Sequence, residues 1–212
     1  MRSLHPALAA LLPAVLPACS SLQPVLRYPW VEDRYVSLAG ESLVVTVRAD
    51  DIDVDARLAF RQIDGPPLDR ILTFPIPAAG ASVRNFFAHA ERPGFAPVQL
   101  PVSPANPGWL PAGSASQTFD VSVAAELLRG RGSVLRFHYR QTTSGLFRYT
   151  LKTGAYWAGP IARLDVLVID PDQCVAVATV EGRRPDRAQG QTLAWTFLQV
   201  EPDQGVALEV TR

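Results

Sequence analysis

Few residues in this chain have types and spacings that could do chemistry. Asp50, Asp51, Asp53 and Asp55 crowd into six positions, an oxygen-rich run of the kind that coordinates calcium. A calcium loop of the EF-hand type, however, needs Gly at its sixth position and Glu at its twelfth. Here those places hold Asp55 or Ala56, and Arg61 or Gln62. Because Ile52, Val54 and Ala56 alternate with the acids, the run reads better as the wet face of a strand. Histidine is scarce: His5, His89 and His138 form no His-x-x-x-His pair and have no cysteine neighbour, so no zinc site is expected. His138 lies between Phe137 and Tyr139 and should face away from them. Gly-x-Ser-x-Gly, Gly-x-Gly-x-x-Gly and Gly-Lys-Thr are all missing, and Arg129-Gly130-Arg131-Gly132 lacks the strand-to-helix context of a phosphate loop. A noncatalytic protein without cofactor or metal is expected. The candidate binding residues are Tyr156 and Trp157, held between Gly154 and Gly159-Pro160. Aromatics on an exposed loop stack on sugar rings or hold a peptide, whereas a Trp157 folded back would plug the open end of the fold.

The amino-terminal segment is an address. Arg2 is its one charged side chain, and the apolar run 8–16 is too short and too proline-interrupted to span a bilayer but suits a secretory signal. The run ends in Leu16-Pro17-Ala18-Cys19, followed by Ser20 and Ser21, which resembles a bacterial lipobox. That resemblance implies cleavage before Cys19 and lipidation of its thiol. The alternative is an ordinary cleaved signal with Cys19 incidental. Two acyl chains on one residue would anchor the protein stably, at about 0.8 kcal/mol for each buried methylene. Ser20 in place of Asp points, by analogy with enteric sorting, to the periplasmic face of the outer membrane.

Removing 18 residues from 212 leaves 194, enough for a core held without disulfides. With Cys19 acylated, Cys174 is the one remaining thiol; its neighbours Val175, Ala176 and Val177 suggest a buried, inert group. Lys plus Arg and Asp plus Glu each number 20, which excludes a basic field for nucleic acid. The expected partners are a membrane, through the lipid, and an envelope protein or a glycan.

The elements that must position these residues are strands. Leu43, Val45 and Val47 alternate with polar or smaller residues, and Ile52, Val54, Ala56, Leu58 and Phe60 form one apolar face. Phe74-Pro75-Ile76-Pro77 ends a strand whose prolines confine it to an edge, and 82–90 adds another. Leu135, Phe137 and Tyr139 alternate with Arg136, His138 and Arg140. Phe147, Tyr149 and Leu151 do the same before the aromatic turn, and Leu164, Val166 and Val168 follow it, so 147–161 reads as a hairpin. A near-repeat places Asp170-Pro171-Asp172-Gln173 and Glu201-Pro202-Asp203-Gln204 between apolar strands, where each predicts a further hairpin turn.

Prolines at 93, 97, 101, 104, 107 and 111 suggest extended chain, either a linker, which is favoured, or a crossover. The expected fold is all-β, two antiparallel β-sandwich halves of immunoglobulin-like style. Its divisions are a signal at 1–18, a tether at 19–33, halves at 34–92 and 114–212, and the proline-rich connection at 93–113. Within the tether, Tyr28 and Trp30 could lie near lipid headgroups or cover the bottom of the first sheet.

Two of these segments resemble a family. Phe74-Pro75-Ile76-Pro77 is similar to the Phe-Pro-Leu-Pro strand end of an uncharacterised group of exported bacterial proteins, a domain of unknown function. Thr153-Gly154-x-x-Trp157-x-Gly159-Pro160-Ile161 resembles that group's Thr-Gly-x-x-Trp-x-Gly-Pro-Ile segment. The resemblance implies export and assigns no catalytic residue.

Overall fold

The structure, a computed structural model, describes residues 36–62, 70–77, 82–105, 116–124, 127, 132–142, 145–151 and 159–211. Its described elements are almost entirely β, as the alternation predicts. An eight-stranded sheet runs in the order β12 (Arg187–Gln189), β13 (Thr192–Val200), β10 (Ile161–Ile169), β1 (Val36–Val47), β2 (Asp51–Gln62), β8 (Ser133–Thr142), β4 (Val83–Glu91), β5 (Val98–Gln99). Two three-stranded sheets share its core. One is β11 (Val175–Val180), β14 (Val206–Val210) and β9 (Leu146–Tyr149); the other is β3 (Arg70–Pro77), β7 (Ser116–Val123) and β6 (Val102–Ala105).

The inward faces are those the sequence marks. Leu43, Val45 and Val47 of β1, Ile52 through Phe60 of β2 at every second position, and Leu164, Val166 and Val168 of β10 are all at most 2% exposed. Leu135, Phe137 and Tyr139 of β8 join them, and His138 faces away. Under the β3-β7-β6 sheet the filling is aromatic: Phe74 meets Phe137 at 4.3 Å between ring centroids, and Phe86 stacks on Phe119 at 4.5 Å. Strand β3, with its prolines, is an edge strand as expected.

Connectivity departs from the expected hairpins. β9 pairs with β14, while β10 pairs with β1 and β13, so the two strands flanking the aromatic turn belong to different sheets. Likewise the Asp-Pro-Asp-Gln turn carries the chain from β10 to β11, and its Glu-Pro-Asp-Gln counterpart carries it from β13 to β14. Each is a corner between sheets rather than a hairpin. Alternation specifies which face of a strand is oily but not which neighbour hydrogen-bonds to its edge.

The pairing of β1 with β10 is parallel, a departure from the wholly antiparallel expectation. That pair, together with β2–β8 and β4–β8, places strands from before and after the proline-rich stretch side by side in one sheet. The described part of that stretch itself supplies β5 and β6.

Two irregularities set the faces locally. A bulge between Leu38 and Gly40 puts Leu38 and Glu41, three apart, on the same buried side. A second, between Arg84 and Phe87 with Asn85 at φ 53°, turns Phe86 inward and Phe87 outward.

Candidate functional site

The three residues that the sequence nominates, Cys19, Tyr156 and Trp157, lie outside the described residues, as does the segment 1–35 that contains the signal and tether. On either side of the aromatic turn, Leu151 and Ile161 are buried. Cys174 is a buried free thiol, and burial, helped by the nearby charges of Asp170 and Asp172, pushes its ionisation up. It matches the inert thiol expected.

Asp51, Asp53 and Asp55 of the acidic run lie on the outer face of β2, and their carboxylates are engaged, Asp51 with Arg48. Asp53 Oδ1 lies 3.0 Å from His138 Nε2, and its Oδ2 accepts from Arg140 Nε at 2.8 Å. Asp55 is clasped by the Arg136 guanidinium, whose Nε donates at 2.8 Å to Oδ1. One row further, Arg57 Nη2 donates to Glu91 at 2.8 Å, and Phe87 stacks on the His138 ring at 4.7 Å. Carboxylate oxygens already occupied by cross-strand arginine and histidine partners are poorly placed to gather around a calcium ion. Among the described residues, no group of three or more His, Cys, Asp or Glu is placed to hold a metal ion.

The group with unusual chemistry is one that the sequence reading passed over. Glu41 is on β1, in phase with Leu43, Val45 and Val47, and that phase is the signal that could have found it. Its side chain is 2% exposed, and its register neighbours are Leu58 on β2 and Leu164 on β10. The Tyr149 hydroxyl, reaching across from β9, donates to Oε1 at 3.5 Å, the far limit of a hydrogen bond. Oε2 has no partner.

Burial pushes the Glu41 carboxyl up to about 8, only weakly opposed by the Tyr149 hydrogen bond. It also holds the Tyr149 phenol well above its ordinary value, with the Glu41 charge adding to that. Tyr139 on β8 is raised by burial too. The arrangement is a buried acid facing one phenol, Tyr149, with a second, Tyr139, behind that one. It can hold or release a proton near neutral pH, and perturbed groups of this type concentrate at functional sites.

No known family matches the sequence, and no curated protein is significantly similar to it. Among solved structures the chain is similar to a candidate nutrient-binding protein from Legionella pneumophila, at 14% identity and a TM-score of 0.55, over 85% of this chain and 68% of that one. It is also similar to a candidate protease from Parabacteroides distasonis (10% identity, TM-score 0.49) and to leukotriene A4 hydrolase from Saccharomyces cerevisiae (9%, 0.49). This chain spans 41% and 31% of those two, against 85% and 89% of its own length. The likeness to the Legionella protein is one of fold.

Proposed function

We propose that the chain is an exported lipoprotein, acylated at Cys19, whose β-sandwich serves as a noncatalytic binding or assembly module of the bacterial envelope. The observation that carries this reading is the Leu16-Pro17-Ala18-Cys19 boundary behind a short apolar run. Two features support it: a core that closes without a disulfide, and an outer sheet face whose carboxylates are engaged by arginine and histidine. No helix among the described residues is long and apolar enough to cross a membrane.

Intact mass of the protein from the membrane fraction, beside a Cys19→Ser control, tests the anchor. A diacylglyceryl adduct lost in the control is the expected result, and a water-soluble product with unmodified Cys19 overturns it. The second reading is a glycan-binding or glycan-processing accessory that uses Tyr156 and Trp157, favoured by adjacent aromatics set between glycines in the β9–β10 connection. If Trp157→Ala leaves glycan binding intact, that reading is refuted.

A further inference from the structure

We infer that Glu41 is a proton-operated lock between the eight-stranded sheet and the β11-β14-β9 sheet: the folded interior holds its carboxyl in the protonated form, and ionisation opens the packing at Tyr149. Glu41 lies at a buried position between Leu58 and Leu164, with one oxygen unpartnered and the other at 3.5 Å from a single phenol. Among the described residues, the ionisable groups facing it are Tyr149 from β9 and, beyond Tyr149, Tyr139 from β8. Its buried register neighbours are Leu58 on β2 and Leu164 on β10, and Val206 on β14 lies opposite Tyr149. None of them is a cation. Among the described residues a carboxylate there would have no counter-ion, whereas the neutral acid needs only modest polar contact.

β9 is the joint where relief comes most cheaply. It has four residues and is hydrogen-bonded to one strand, β14, with Tyr149 opposite Val206 at the end of the ladder. Leu146 and Arg148 on its other face are exposed. Displacing Tyr149 lets water reach Glu41 while the long β1–β2 and β1–β10 ladders stay closed, a local opening rather than global unfolding.

The direction with pH follows from linkage. In the opened form the carboxyl ionises near its ordinary 4.5, in the closed form near 8. Opening is therefore unassisted below pH 4.5, becomes easier through the interval, and levels off above about 8.

Amide hydrogen exchange of the full-length protein, read at 146–149 and 206–208 and corrected for intrinsic base catalysis, tests the lock. The opening equilibrium should rise about 70-fold between pH 5 and pH 7, nearing tenfold per pH unit for one proton in the middle of the interval. Glu41→Gln, neutral at every pH, should abolish that rise while keeping the protein folded. Tyr149→Phe, which removes the hydroxyl but not the acid, should keep it. A wild type whose corrected exchange at these amides is flat across the interval overturns the inference. So does a Glu41→Gln profile with the wild-type slope. Should Glu41→Gln fail to fold, the wild-type and Tyr149→Phe slopes still decide.

Discussion

Gly205 offers a sharp quantitative test of how β9 and β14 are joined. It sits at φ +77°, and a Cβ built on it would lie 2.3 Å from the Tyr149 carbonyl oxygen. Gly190 is a natural control, since its φ is +58° but nothing lies within 4 Å of the same atom. In Gly190→Ala the left-handed strain of about 1–2 kcal/mol is partly offset by about 0.4–1 kcal/mol of reduced unfolded-state entropy, leaving a net loss near 1 kcal/mol. Gly205→Ala carries the same terms and a backbone collision. Relieving it requires the β9 carbonyl and the start of β14 to separate by about 1 Å, because a carbon–oxygen contact much below 3.3 Å is repulsive. That movement disturbs the Tyr149–Val206 pair and the bond from the Gly205 N–H to Glu181 Oε1 at 2.6 Å. With each lost hydrogen bond worth about 0.5–1.5 kcal/mol, and more for a charged acceptor, the total should reach about 3–5 kcal/mol. Urea unfolding of both variants at pH 5, below the range where Glu41 ionises in the closed form, isolates the collision as the difference between them. A difference under about 0.5 kcal/mol would refute the reasoning, because the two glycines would then be equivalent despite their surroundings.

The Glu181 carboxylate accepts from the backbone N–H groups of Asp203, Gln204 and Gly205 at 2.7, 2.9 and 2.6 Å, so Glu181→Ala should lose about 2–4 kcal/mol by chemical denaturation. The clasp of Asp55 by Arg136 lies on the wet face, and Arg136→Ala should cost less than about 1 kcal/mol, a shift of a few degrees or less in a melting scan. A larger loss would mean that the ladder on that face is structural rather than solvated. In a Cys19→Ser background, Cys174 should react with a thiol reagent only as the fold opens, much more slowly than in denaturant; labelling at the unfolded rate would contradict its burial.

Strand identity was legible because period-two alternation records burial directly. Every second residue from Ile52 to Phe60 is closed to solvent, and the same holds for β8 and for β10 from Leu164 to Val168. Sheet membership was not legible, because the residues that move a chain from one sheet to another act through hydrogen bonds that no periodicity records. At the end of β10 the Asp170 carboxylate accepts from the N–H groups of Cys174 at 2.8 Å and Val175 at 2.9 Å, folding the chain out of the large sheet. In the sequence the same residues suit an ordinary hairpin turn equally well. Glu41 was legible in principle, by phase alone. The alternation that marks β1 in the sequence is clearest from Leu43 onward, and the bulge at Gly40 that aligns Glu41 with Leu38 has no sequence signature beyond the glycine.

The near-repeat shows why similar sequence need not mean similar backbone. Both corners leave adjacent antiparallel strands, β10 and β13, and enter adjacent antiparallel strands, β11 and β14. In the first, the left-handed residue is Gln173, the fourth position of Asp-Pro-Asp-Gln-Cys; in the second it is Gly205, the fifth position of Glu-Pro-Asp-Gln-Gly. The clamping carboxylate changes with it. Asp170 closes its own turn, whereas Glu201 at the matching position is exposed and Glu181, from the end of β11, binds the three N–H groups instead. A carboxylate supplied from within the turn fixes that corner locally. One supplied from β11 ties the second corner to the strand that the first corner feeds, so the two corners stabilise each other. Gly205, pressed against Tyr149, then transmits the position of that joint to the strand that holds the phenol against Glu41.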